Sequence, residues 1–84
     1  MPIRILIADD HALLRQGIKN ALSLEADLEV IGEASNGEEV LNQVVRLKPD
    51  IVLLDINMPK GNGLEITRHL AANFPSIRCI ILTI

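Results

Sequence analysis

The stretch Ile3-Arg4-Ile5-Leu6-Ile7-Ala8-Asp9-Asp10 is a short, near-continuous apolar run closed by two acids. Such a run, bounded by charge, has the pattern of a strand buried on both faces, as in a parallel sheet covered by helices. From His11 the period changes: Leu14, Ile18, Ala21 and Leu22 recur at helical spacing, with Arg15, Lys19 and Asn20 between them. Residues 11–23 therefore read as an amphipathic helix. A buried strand running straight into a helix is the start of a strand-helix-strand unit.

The same unit repeats downstream. Leu28 to Ala34 reads as a second strand, with Glu29 and Glu33 marking an edge position. Ser35-Asn36-Gly37 is a turn that feeds a helix through Asn36, and Glu39 stands three residues on, as a capping box requires. That helix places Val40, Leu41, Val44, Val45 and Leu47 on one face and ends before Pro49. Ile51 to Leu54 is the most apolar strand, followed at once by Asp55, and then by a loop dense in turn formers from Asn57 to Gly63. A third helix is expected over about 64–73, with Leu64, Thr67, Leu70 and Ala71 inward, and a fourth strand over Arg78 to Ile84. Strand-helix three times and then a strand, with right-handed crossovers, makes a parallel α/β sheet with helices on both faces.

Composition narrows the function. The chain has 84 residues, room for one domain, and is 49% apolar with Phe74 as its one aromatic residue, so the core is Leu, Ile and Val. Its net charge is −3 and its eight Lys and Arg are scattered, which argues against direct nucleic-acid binding by this segment. Cys79 stands alone, with no disulfide framework or CxxC pair, and reads as a small buried hydrophobe. The apolar start is too short to span a membrane and lacks a signal-peptide cleavage region, so a cytoplasmic protein without membrane contact is expected.

In open α/β sheets, ligands bind beyond the carboxyl ends of the strands, where the winding reverses. The first strand delivers Asp9 and Asp10 to that edge, and the third delivers Asp55. If those strands are neighbours, three carboxylates converge, at an electrostatic cost that a proton or a cation would relieve. Hard oxygen donors favour Mg²⁺. A cation there could bring a phosphate oxygen beside Asp55, whose carboxylate would attack phosphorus in line to give an acyl phosphate. Taken singly, Asp10 could be an N-cap, Asp9 a loop acid, Asp55 a turn former and Thr83 a β-former. The functional case rests on their lying together at one sheet edge. His11 and His69 lack metal-ligand spacing and read as surface or helix-start residues, Lys60 as a solvated charge, and the glycines form neither GxGxxG nor a P-loop.

The series Ile7-Ala8-Asp9-Asp10-His11, Asp50-Ile51-Val52-Leu53-Leu54-Asp55-Ile56-Asn57-Met58-Pro59, Gly63 and Leu82-Thr83 resembles the receiver domains of two-component response regulators. With Leu13-Leu14-Arg15-Gln16-Gly17 after it, the DDH start is similar to the NarL/FixJ (LuxR-type) subfamily. The resemblance implies a flavodoxin-like (CheY-like) doubly wound sheet of order 2-1-3-4. It implies that Asp55 is the phosphoacceptor, that Asp10 binds Mg²⁺ (or Mn²⁺) directly, and that Asp9 acts through water or as a supporting acid. The backbone carbonyl of Asn57 would complete the protein ligands, and Thr83 would be the switch hydroxyl. It further implies a sensor histidine kinase and small phosphodonors as partners, and no multiple-turnover activity. Asp55-Ile56-Asn57 is faintly similar to the nucleophile loop of aspartate-based phosphatases, but Asn57 stands where those enzymes carry a second acid.

A complete receiver has five strands and five helices, so residues 1–84 are expected to be its N-terminal portion. The family's fifth-strand lysine and the LuxR-type DNA-binding domain would lie beyond it. On that expectation Cys79-Ile80-Ile81-Leu82 is a bare apolar edge that invites self-association. The alternative reading follows: a phosphorylation-incompetent, oligomeric fragment.

Overall fold

The computed structural model describes residues 2–58 and 63–82. Thr83, Pro59 and Lys60 lie outside the described residues. The elements run β1 (Ile3–Ala8), α1 (Ala12–Leu22), β2 (Leu28–Ala34), α2 (Gly37–Leu47), β3 (Ile51–Asp55), α3 (Gly63–Asn73) and β4 (Arg78–Leu82). All three pairings are parallel and the sheet order is β2-β1-β3-β4. β2 is an edge strand, as Glu29 and Glu33 indicated.

Strand alternation builds two layers. Leu6 and Ala8 of β1 lie beside Val52 and Leu54 of β3. These four, with no exposure, form the floor of the main core together with Val40 and Val44 of α2, Ile66 and Leu70 of α3, Ala34 and Met58. Ile5 and Ile7 point to the opposite face, under α1. That layer is thinner: no residue of α1 is buried. Leu14, Ile18 and Leu22 are half-buried, and Leu13 is 90% exposed.

The helix phases needed correction. In α2, Val45 is exposed, because it lies one helical step off the buried Val40–Val44 stripe. In α3 the inward stripe is Gly63, Ile66 and Leu70, with Thr67 half-buried, so Leu64 and Ala71 face out. Ala21 of α1 is exposed as well. One irregularity had no sequence signal: the β1–β2 register jumps between Ile5 and Leu6, which leaves Ile31 as an extra residue in β2.

The helix ends explain the boundaries. Asn36 caps α2 by accepting the Glu39 amide N–H at 2.9 Å, and the Glu39 carboxylate reaches back to the Ser35 N–H at 3.1 Å. At the other end Lys48 adopts a left-handed conformation (φ 49°) before Pro49. Arg4 closes that end, donating from its guanidinium to the Lys48 carbonyl at 2.8 Å and the Leu47 carbonyl at 2.7 Å.

Candidate functional site

β1 and β3 lie side by side and run the same way, so Asp9, just past β1, and Asp55, the last residue of β3, reach the same rim. This is the topological switch point, since β1 leads to one side of the sheet and β3 to the other. Donor atoms of Asp9, Asp10, His11 and Asp55 all lie within 4.8 Å of one another.

Both strand ends use the same local device. The Asp9 Oδ1 accepts the His11 backbone N–H at 2.7 Å, and the Asp55 Oδ1 accepts the Asn57 N–H at 3.0 Å. Each is an Asx turn that orients the carboxylate by its own downstream backbone. The Asp9 N–H donates to the Ala34 carbonyl at 3.0 Å, which ties the end of β1 to the end of β2. Asp9 is fully buried, Asp55 is 8% exposed, and Asp10 is exposed. Asp10 is not the helix cap: that position is His11, which makes no capping side-chain bond.

One atom stands out. Asp9 Oδ2 is buried with no hydrogen-bond partner. A buried charged oxygen without a partner is costly, roughly 1–3 kcal/mol or more. The orphaned oxygen and the hard carboxylate donor set fit a divalent cation.

Two residues join the site that the sequence reading had left aside. His11 Nδ1 lies 2.9 Å from Asp9 Oδ1 and 3.1 Å from Asp10 Oδ1. The hydrogen bond with Asp9 holds its pKa above the usual histidine value, and the charge of Asp10 adds to this. The Arg15 guanidinium donates to the Asp9 carbonyl at 2.6 Å, and its Nε lies 3.2 Å from Glu33 of β2. Lys19 lies 3.4 Å from the same carboxylate. The available signal was position: His11 directly follows the acids, and Arg15 stands four residues on, one helical turn further. An open cleft of about 490 Å³ beside the acids is lined by His11, Leu13, Leu14, Asp55 and Asn57.

A family model of the response regulator receiver domain matches residues 5–84. The chain belongs to that family. Among similar proteins, the transcriptional regulatory protein DegU of Brevibacillus brevis is 43% identical over 82 residues, covering 98% of this chain and 35% of DegU. The nitrate/nitrite response regulator NarL of Escherichia coli K12 is 43% identical over 83 residues, covering 99% of this chain and 38% of NarL. The chain thus spans little more than a third of these relatives' length, and its relatives fall in the NarL/FixJ group that the DDH start indicated. Among solved structures, the isolated receiver domain of RcsB from Salmonella enterica serovar Typhimurium superposes with a TM-score of 0.93 at 28% identity, covering 99% of this chain and 62% of that one. The receiver domain of a NarL regulator from Mycobacterium tuberculosis gives 0.90 at 32% identity, covering 95% and 64%. The CheY-like receiver fold with order 2-1-3-4 is therefore established, and its acidic pocket is the cluster at the β1 and β3 ends. Among the described residues, no helix is long and apolar enough to cross a membrane.

Proposed function

We propose that this receiver domain takes a phosphoryl group on Asp55 from a sensor histidine kinase or a small phosphodonor. It would act as the input module, residues 1–84, of a cytoplasmic transcriptional regulator. Asp9, Asp10, Asp55 and the backbone carbonyl of Asn57 would hold Mg²⁺, with Mn²⁺ as a substitute. The observation that carries this reading is the convergence of three carboxylates at the switch point, one of them with a buried, unpartnered oxygen.

Each residue has a task that its geometry supports. The Asn57 N–H holds the Asp55 carboxylate in one orientation, so its attack on phosphorus is pre-aligned. A new oxygen–phosphorus bond forms as the donor's bond to phosphorus breaks, and the leaving group departs with the electron pair. Bound in the pocket, the cation would offset charge on the phosphoryl oxygens. Asp9 and Asp10 face that position from β1, and Arg15 anchors the Asp9 backbone so that the pair stays near Asp55. Thr83 remains the proposed switch hydroxyl on its motif position alone. The RcsB receiver and RcsB–promoter structures determined with the phosphomimetic BeF3⁻ support the reading by likeness.

Intact-mass measurement after incubation with acetyl phosphate and Mg²⁺ tests it. One hydroxylamine-labile phosphoryl adduct is expected, absent with a chelator and absent in Asp55→Asn. An unchanged adduct in Asp55→Asn would refute the assignment.

A second reading rests on β4. Among the described residues its outer edge is unpaired, with Ile80 47% and Ile81 36% exposed. Self-association along that edge, with no phosphorylation, is the alternative. Sedimentation across a concentration series separates the two, because a monomer that accepts phosphate removes it.

A further inference from the structure

The carboxylates account for only part of the donor cluster. His11 Nδ1 lies 2.9 Å from one Asp9 oxygen and 3.1 Å from one Asp10 oxygen. For an octahedral ion with bonds of 2.0–2.1 Å, adjacent ligand atoms stand about 3.0 Å apart. These contacts are a hydrogen bond and an ion pair in the structure, and the same spacing would let the imidazole nitrogen stand as a neighbouring ligand once a cation displaces the shared proton. It shares the 4.8 Å cluster with Asp55. Its backbone supports the placement: His11 sits at the start of α1 in extended conformation (φ −98°, ψ 105°). Its N–H closes the Asx turn on Asp9, and its side chain caps nothing. Beside it, Asp9 Oδ2 is fully buried without a hydrogen-bond partner.

We propose that His11 Nδ1 is a direct ligand in this pocket and that it gives the site a preference for later first-row divalent ions, Co²⁺, Ni²⁺ and Zn²⁺, over Mg²⁺. The inference rests on the reading that Asp9, Asp10 and Asp55 hold a divalent cation. Its chemistry is that of the added donor. Imidazole nitrogen suits the later transition ions, whereas Mg²⁺ favours oxygen and keeps its waters. An all-oxygen receiver pocket would discriminate less in favour of these ions. The ring is 68% exposed, and ligation would exchange its hydrogen bond with Asp9 for a bond to the cation.

Calorimetric titration of the whole chain with Mg²⁺, Co²⁺ and Ni²⁺ tests this in wild type, His11→Ala and His69→Ala. Groups one shell beyond a ligand typically change metal affinity by roughly 10–100-fold when removed, and a direct ligand should weigh at least as much. His11→Ala should therefore weaken Co²⁺ and Ni²⁺ by about tenfold or more while Mg²⁺ affinity stays within about twofold. His69→Ala should change neither, since His69 lies on α3 and contacts Asn73 instead. The Co²⁺ visible spectrum should lose its nitrogen-ligand signature in His11→Ala only. Equal Co²⁺ and Ni²⁺ affinities in wild type and His11→Ala would overturn the inference and leave the carboxylate pocket intact. A parallel loss of Mg²⁺ would overturn it too, showing that His11 acts by position. Failure of all three ions to bind wild type would overturn the carboxylate pocket itself.

Discussion

Replacing Asp9 by Asn should make the cation-free domain more stable and remove most of its response to Mg²⁺. In wild type the side chain is fully buried and Oδ2 has no hydrogen-bond partner. The substituted amide would keep an acceptor for the His11 N–H and set an N–H₂ group, rather than a second anionic oxygen, toward the acids. Leaving a buried polar oxygen unpaired costs roughly 1–3 kcal/mol. Carboxylate oxygens no more than 4.8 Å apart add repulsion of at least about 3 kcal/mol per pair at an effective dielectric near 20, before screening. Attraction to His11 and Arg15 opposes that repulsion, so the orphaned oxygen alone sets the magnitude. A gain of about 1–3 kcal/mol corresponds to a Tm increase of about 4–24 °C for a domain of this size. Saturating cation should reverse the order of response, since a ligand at ten times its Kd stabilises by about 1.4 kcal/mol and the variant has lost a donor. Thermal unfolding by circular dichroism, in chelator and in a Mg²⁺ series, reads both effects. A variant that melts below wild type in chelator, or that gains as much from Mg²⁺, would refute the reasoning.

Other perturbations probe separate parts of the fold. At Gly63 a Cβ would stand 2.6 Å from the Ile56 Cα and 2.9 Å from its carbonyl oxygen, so Gly63→Ala must push backbone. The expected loss is about 1–3 kcal/mol, together with slower phosphorylation as the Asn57 turn shifts; an unchanged melting curve would contradict it. On α1, a Cβ added at Gly17 would meet nothing within 4 Å, so Gly17→Ala should stabilise by about 0.5–1 kcal/mol in urea titration. Arg4→Ala removes two bonds to the last carbonyls of α2 and should cost about 1–2 kcal/mol by the same assay. Burial raises the Cys79 thiol pKa, against a smaller lowering by its contact with Thr67. Alkylation of folded protein should therefore be slower than that of an unstructured thiol at pH 8 and should rise with pH at a higher midpoint.

β1 and β3 were legible because strands buried on both faces leave near-continuous apolar runs, and β2 because Glu29 and Glu33 mark a β-forming run at the sheet edge. Ile3 to Ala8 and Leu28 to Ala34 match the observed bounds, and β3 differs by one residue, Asp55 itself. Helix existence was equally clear, but helix phase was not. In α3 both Leu64 and Ile66 are apolar, and the seat of the helix over the core shared with α2, β1 and β3 decides that Ile66 turns inward. In α2 the adjacent valines Val44 and Val45 offer the same ambiguity, resolved in favour of Val44. The acids were readable from their places at strand ends. His11 and Arg15 were not, because their roles depend on where a side chain points after the turn, which periodicity does not encode.

The domain's two faces are unequal, and the site lies across the difference. Beneath Asp55 the main core is closed: Leu6, Ala8, Val52 and Leu54 have no exposure. On the other face α1 buries no residue, yet it carries the guanidinium that anchors Asp9 and follows directly from the two acids. Asp55 stands over that closed core, and Asp9, itself fully buried, is fixed by its turn, by its N–H to Ala34 and by Arg15, so Asp10 is the exposed carboxylate of the three. A phosphoryl group on Asp55, as proposed, would face one fixed carboxylate, Asp9, and one exposed carboxylate, Asp10. Any rearrangement it causes should begin at Asp10, the exposed carboxylate in the turn between β1 and α1.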